Sequence, residues 1–599
     1  MKKSILSVLA LVLALGLVLA GCTTPTEGGS TAPEVSSEAS TDSSTAESSE
    51  DAGESSEEPA ANVDASNPAS ALDADTLYVG TTAHNGLYNY MYASSSYDVD
   101  VCNLIYEALA VEAPDGVAKV NDRLVAEHSI SDDGLDYTFK LKEGITFSDG
   151  SALTAEDVVF TFQVLAASQN AYRVDKADPL RGIEEYRTSG GDFTAVEAVD
   201  ELTVVFHFAE NLRTNMSTPV IKIISKDYYP DWTFETSDDV MNDKMNQPMG
   251  SGPYTLKEYA PSQFCSLTMN ENYWAKDSTD YRVKNIVIKF IETTTEIDEI
   301  VTGSVDVIPQ IIDRDHVDRV RNDQDGRGAQ NYINLIQFKR SAYGYIGFNT
   351  RSGISSDVAM RQAIAYAFNR QEFVEAMYGD LARTLPVPMS QASSIFESVL
   401  GELNQYEFDL EKAKQVLLDA GYTFENDVMS KDGVPVELKF LASTGNTVID
   451  AMIPVLSDNL AQIGITLNAQ PIEFASLLDT VRSENDDWNM FFMASSWTSD
   501  EPNEWYASFH PSFIPSSNMT RYNNAEVAQN LVDGQKILDI HSQEAVDLYS
   551  KIAIQLNNDL PELPVYANTL TAMVNTRVHD LNIDTFNEWS NAMEGVYIE

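Results

Sequence analysis

The chain has 599 residues and carries 92 acidic against 38 basic side chains, a formal net charge of −54. That excess excludes a nucleic-acid partner and electrostatic binding to an anionic membrane surface, while permitting a cationic ligand. The length calls for two or three lobes rather than one core, and the seven His, with no HxxxH or HExxH spacing, do not suggest an imidazole metal site.

At the N-terminus, Lys2 and Lys3 precede an apolar run over residues 5–20 that ends in Leu19-Ala20-Gly21-Cys22. A basic start and a short apolar stretch read as a secretory signal, too short for a comfortable membrane span. The last four residues resemble a bacterial lipobox, which would make residues 1–22 a lipoprotein signal peptide and Cys22 the diacylated mature N-terminus; the alternative is an ordinary signal peptide with an incidental cysteine. Residues 23–75 hold no Lys, no Arg and no aromatic residue, but thirteen acids. Such a segment cannot bury enough apolar surface to offset its ordering entropy and is expected to be a disordered tether, reaching on the order of 40 Å as a coil. A lipid-anchored tether of this kind favours a Gram-positive style surface lipoprotein on the extracytoplasmic face of the cell membrane.

The fold is expected to begin with a strand at Thr76, followed by a helix over residues 98–109. Tyr137, Phe139 and Leu141 alternate with polar residues, marking a half-buried strand. Ser148-Asp149-Gly150 is a turn, and Thr154 caps a helix with Asp157 placed to complete a capping box. Residues 264–269 read as a strand. A strand over 285–291, a helix over 292–301 stopped by Gly303, and a strand at 305–307 form a βαβ unit with parallel pairing. Farther along, residues 357–370 read as a helix with Val358, Ile364, Ala367 and Phe368 available for burial. Asp409 caps another helix that ends at Gly421, with Tyr422 as the returning apolar contact. A strand (436–440), a helix (448–463), a stop at Gly464 and a strand (465–469) make a second βαβ unit. Cys102 and Cys265 could form a disulfide in an oxidising compartment or be two small buried residues.

Residues 137–162, YTFKLKEGITFSDGSALTAEDVVFTF, resemble the signature of the extracytoplasmic solute-binding proteins of the peptide/nickel class, family 5, which serve ABC importers. Tyr106-Glu107-Ala108-Leu109, the run starting Met249-Gly250-Ser251-Gly252, Asn272-Tyr273-Trp274 and the helix at 357–370 resemble further words of that family, so the likeness extends over about residues 77–599. It implies an α/β, two-lobed periplasmic-binding-protein-like fold of class II with an additional peripheral subdomain on lobe one. The implied division is lobe one over 76–110, 248–340 and 565–599, the peripheral subdomain over 111–247, and lobe two over 341–564.

In open α/β sheets ligands bind beyond the carboxyl ends of the strands. Residues 488–494 form an apolar run of buried-strand length, so Trp497 and Asp500 fall in a loop facing the expected cleft. The loop Ser495-Ser496-Trp497-Thr498-Ser499-Asp500 resembles the family loop whose aspartate takes a peptide α-ammonium while the preceding backbone, here Ser496 to Thr498, pairs with the ligand as an added strand. Asp500 would supply the opposite charge and Trp497 a stacking wall; alternatively Asp500 caps the following helix. By the same resemblance Tyr97, Asp98 and Val99 touch the ligand from lobe one, and Tyr172 reaches the cleft edge. These features point to a monomeric receptor without catalytic residues, cofactor or metal, which captures short peptides by hinge closure and hands them to an ABC importer permease. The crossings between lobes are expected near Pro248, residues 332–345 and Pro564. Competing readings are the same fold binding an oligosaccharide or metal chelate, a peptide-pheromone signalling receptor, and a surface hydrolase, for which no G-x-S-x-G, HExxH or P-loop is found.

Overall fold

The computed structural model describes residues 67–113, 116–401, 403–497 and 504–599. Twelve strands among them form one mixed sheet. In chain order they are β1 (Thr76–Thr81), β2 (Tyr254–Ala260), β3 (Phe264–Met269), β4 (Asn285–Phe290), β5 (Val307–Ile311), β6 (Ile333–Lys339), β7 (Ala342–Phe348), β8 (Ala382–Arg383), β9 (Glu437–Ser443), β10 (Thr466–Ile472), β11 (Met490–Ser496) and β12 (Glu562–Asn575). The sheet runs β10-β9-β11-β7-β12-β5-β1-β4-β3-β2, with β6 and β8 also pairing to β12. Two groups of apolar cores flank it. One surrounds Leu77, Ile286 and Leu267 and continues into a separate four-stranded sheet; the other surrounds Phe440, Leu456, Trp488 and Trp505. This is the expected two-lobed α/β architecture.

The halves share one strand. β12 pairs antiparallel with β7 from Glu562 to Tyr566 and with β6 from Thr569 to Asn575, while its far end also meets β5. Only Arg340 and Ser341 separate β6 from β7, so residues 333–348 and 562–575 form a two-stranded ribbon running from one lobe into the other. Of the expected crossings, residues 333–345 and Pro564 lie in this ribbon, whereas Pro248 lies outside it, ahead of β2.

Local signals translate directly. Tyr137, Phe139 and Leu141 are buried on one face of the strand Asp136–Leu141. Asp149 Oδ1 accepts the Ser151 N–H at 2.9 Å, and Gly150 takes a φ of +87°, a conformation side chains resist. The Thr154 N–H donates to Asp157 Oδ2 at 2.8 Å at the start of the helix Ala155–Ala167. Asp409 caps Leu410–Asp419 through the Lys412 N–H, and the Tyr422 N–H returns to Leu417 O at 3.0 Å. The helix α1 spans Ser96–Ile105, beginning earlier than its expected bound because Ser95 caps it and ending earlier where Tyr106 turns extended. Gly250 and Gly252 lie against the backbone of Ile105 at its end. A Cβ on Gly250 would sit 2.2 Å from Ile105 O, and the Gly252 N–H donates to that oxygen at 2.8 Å.

Two expectations are refined. β4 and β5 are parallel, but β1 lies between them and pairs with both, so the crossover spans one strand instead of joining neighbours. The second βαβ unit pairs directly, Glu437 opposite Thr466. The last part of the stretch read as tether is packed. Ala69 is fully buried, the Asn67 amide exchanges hydrogen bonds with Asn575 at 2.6 and 2.9 Å, and Asp75 pairs with Lys284 at 2.6 Å. Cys102 and Cys265 are both buried and unbridged. Among the described residues no helix is long and apolar enough to cross a membrane.

Buried arginines brace the backbone. Arg370 donates to Leu385 O at 2.9 Å, to Gln405 O at 2.7 Å and to Pro564 O on β12. Arg361 reaches Asp559 O and Ser355 O, both at 2.7 Å. Arg521 holds Val481 O, Met519 O and Ser483 O, with Asp486 at 3.1 Å. A planar fork of five donors suits several carbonyls at once. In the other lobe Arg577 grips the fully buried Asp306 through Nε to Oδ1 at 2.6 Å and Nη2 to Oδ2 at 3.0 Å, while the Tyr78 N–H donates to the same carboxylate. This pair ties β1 to the ends of β5 and β12. Replacing Arg577 with Met leaves Asp306 as an uncompensated buried charge, with an expected cost of roughly 3–5 kcal/mol in urea unfolding. The double variant Arg577→Met/Asp306→Asn is expected to recover part of that loss.

Candidate functional site

A hollow of about 440 Å³ opens beside the ribbon. Gln337 and Lys339 of β6 and Thr569 of β12 form its floor; Ser394 lines one side, Asp584 and Phe586 the other. A smaller pocket of about 40 Å³ adjoins it, reached by Gln310, Ser341, Glu588 and Trp589. β6 presents its residues alternately, so Gln337 and Lys339 are exposed while Phe338 is buried. The Thr585 hydroxyl fastens the C-terminal segment to this floor by donating to Lys339 O at 2.7 Å.

The strand preceding the expected ligand loop ends beside this pocket. Ser496 lies opposite Ala342 at the end of β11, and the Trp497 N–H donates to Ser341 O at 2.8 Å. Trp497 is 4% exposed, its ring edge-on to Trp505 at 6.3 Å, so most of its surface belongs to the lobe core. Thr498 and Asp500 lie outside the described residues, as does Cys22.

Elsewhere in the first lobe, and not lining the hollow, α1 brings Tyr97, Asp98 and Val99 together in its first turn. Asp98 is fully buried and turns inward: Oδ1 accepts the Gly86 N–H at 3.0 Å, and burial raises its pKa above the usual carboxylate range. It therefore clamps the loop following β1. Tyr97 stacks on His84 at 6.2 Å, where burial holds His84 down to about 3 and hence neutral. Val99 is half-buried against the first core. Tyr172 is half-buried, 5.5 Å from the Arg173 guanidinium, which lies closer to Tyr90, at 4.1 Å, and donates to Tyr90 O at 2.7 Å. Lys222 approaches the same Tyr90 ring at 5.7 Å, and burial lowers its pKa.

Three carboxyl groups are not marked as site residues by the sequence: Asp100 and Glu588 beside the smaller pocket, and Glu562 at the first residue of β12. Asp100, one turn after Tyr97, accepts from the Trp589 indole N–H at 2.9 Å and the Ser590 hydroxyl at 2.6 Å, docking the C-terminal segment on α1. Burial raises both the Asp100 and the Glu588 carboxyls above the usual range, the negative field of Asp100 adding to the rise at Glu588. Glu562 begins β12, is buried, accepts from the Tyr343 hydroxyl at 3.1 Å and is raised to about 8 by burial. An acid inside the apolar run Leu560-Pro561-Glu562-Leu563-Pro564 was the available signal for Glu562; nothing local marks Glu588. Among the described residues no group of three His, Cys, Asp or Glu is placed to hold a metal ion. The hollow is thus bordered by residues of both halves of the sheet and of the C-terminal segment, with a polar floor.

The sequence model of the bacterial extracellular solute-binding proteins, family 5, matches residues 119–517. The oligopeptide-binding protein AppA of Bacillus subtilis is 26% identical over 512 residues, covering 82% of this chain and 86% of that protein. Its solved structure, in complex with a nonapeptide, aligns with a TM-score of 0.63 at 22% identity over 88% of this chain and 99% of the other. HbpA2 from Haemophilus parasuis aligns with a TM-score of 0.71 at 21% identity, over 88% and 100%.

The buried acids give the fold a pH dependence of definite sign. A carboxyl whose folded pKa is raised binds its proton more tightly in the folded chain, so its stabilisation is complete below the unfolded value near 4.5 and is lost as pH climbs through about 8. Unfolding free energy measured by urea titration is expected to fall between pH 5 and 8, and Glu562→Gln to flatten that slope. A slope unchanged by the substitution would show that Glu562 is not protonated in the fold.

Proposed function

Because the chain belongs to the family 5 bacterial extracellular solute-binding proteins, we propose that it is a lipid-anchored receptor that captures short peptides between its lobes and delivers them to the permease of an ABC importer. The observation that carries this reading is the hollow at the ribbon, lined from both lobes and adjoining the end of β11. The chain's likeness in fold to a relative solved with a nonapeptide supports the choice of ligand. In this proposal Asp500 takes the ligand's α-ammonium, with the backbone from Ser496 to Thr498 adding the peptide as a strand. Trp497 presents what its packing leaves exposed. Tyr97 and Tyr172 face the ligand from lobe one, with Val99 beside them and Asp98 acting through the loop it clamps. Bending of the ribbon closes the lobes. A lipid on Cys22 and the following acidic segment keep the receptor close to the permease and raise its effective concentration there. The protein performs no chemistry on the ligand.

Native mass spectrometry of soluble protein beginning before Asn67, purified without refolding, tests the reading. A ladder of bound masses matching short peptides is expected. A hexose-spaced ladder or a single chelate mass would reassign the ligand. Asp500→Ala is expected to weaken peptide binding by roughly tenfold or more while leaving the melting temperature unchanged. Unaltered affinity in that variant would refute the ammonium role.

A further inference from the structure

Arg213 lies in the first-lobe body, just after the strand Thr203–His207 of the four-stranded sheet, yet its hydrogen bonds go to the second lobe. Nη1 donates to Gly534 O and Ile537 O, both at 2.8 Å, and Nη2 to the Tyr549 hydroxyl at 3.2 Å. Its own backbone N–H donates to Gln535 O at 3.0 Å. The side chain is 7% exposed. The receiving surface is the end of the helix α2 (Ala525–Gly534) and the following helix α3 (Gln543–Asp559), packed into the second-lobe core through Val527, Leu531 and Tyr549. Carbonyls at a helix C-terminus lack intrahelical partners and carry the negative end of its dipole, so a guanidinium is the matching group. Val117, also from the first-lobe side, packs against the same core.

We propose that Arg213 is a positioning residue that holds the lobes closed and so sets ligand residence time without touching the ligand. The inference rests on the hinge-closure reading above. The bonds exist only while the lobes meet; on opening, the guanidinium and the helix-end carbonyls return to water. The latch is therefore reversible, biasing the equilibrium toward the closed form. A receptor whose binding-competent form is fractionally populated loses apparent affinity by that fraction.

Hydrogen–deuterium exchange on the full mature chain tests this without knowledge of the ligand. In Arg213→Ala, amides at 534–549 are expected to exchange roughly tenfold faster. A parallel rise is expected at 337–341 and 584–589, which line the hollow and do not touch Arg213. Arg213→Lys, retaining a charge but fewer donors, is expected to fall between. A purely local role would speed 534–549 alone, and unchanged exchange in the hollow overturns the proposal. If Arg213→Ala does not fold, Tyr549→Phe removes one acceptor while keeping the ring. It is expected to give the same pattern more weakly, and no change in the hollow overturns the proposal there too. Failure to find bound peptide would count against the ligand assignment and leave this result standing.

Discussion

One strand belongs to both lobes, and the rest of the molecule is arranged around that fact. From Glu562 to Asn575 the chain is hydrogen-bonded first to β7, then to β8 and β6, and finally to β5. Buried backbone polar groups must find partners, and a segment passing between two bodies finds them readily in a companion that makes the same passage. Residues 333–348 are that companion. The result is a two-stranded ribbon whose ends are hydrogen-bonded into the sheet of each lobe. Arg370 reinforces one end by holding Pro564 O; Arg577 and Asp306 reinforce the other.

The hollow follows from the same arrangement. Where β6 passes into β7, its alternating side chains leave Gln337 and Lys339 facing outward, and the C-terminal segment is tied over them by Thr585 and by Trp589 and Ser590 on Asp100. The site is thus assembled from widely separated parts of the chain. Burial favours the proton on Glu588, which lines the adjoining pocket, so that acid contributes less negative charge there than its formal count implies.

What was legible in the sequence is what short-range physics decides. The alternation of Tyr137, Phe139 and Leu141, the Thr154 cap and the Asp409 helix each depend on residues within a few positions, and each formed as read. Pairing across hundreds of residues is not written locally: β1 inserting between β4 and β5 leaves no trace in either strand. The same holds for the site. A carboxylate opening a helix looks alike whether it faces solvent or a loop backbone, and Asp98 proved to face the loop. Trp497 was legible as the end of a core strand, but its burial against Trp505 depends on the segment after residue 503. Arg213 and Glu588 were invisible because their partners lie on other elements.

The indoor arginines have a consequence for how the protein meets its surroundings. A trypsin-like protease needs a Lys or Arg in an accessible, extended stretch. Residues 23–75 offer none, and Arg361, Arg370, Arg521 and Arg577 are enclosed with their guanidinium groups engaged. Cleavage at those four arginines must wait for a large opening of the lobe that contains them, so at these sites its rate tracks global unfolding rather than surface mobility. For proteases that recognise acidic residues the sequence before Asn67 is the opposite case: residues 23–66 carry eleven Asp and Glu and no Lys or Arg. The residue preference of a protease therefore decides which part of the chain holds its cleavage sites.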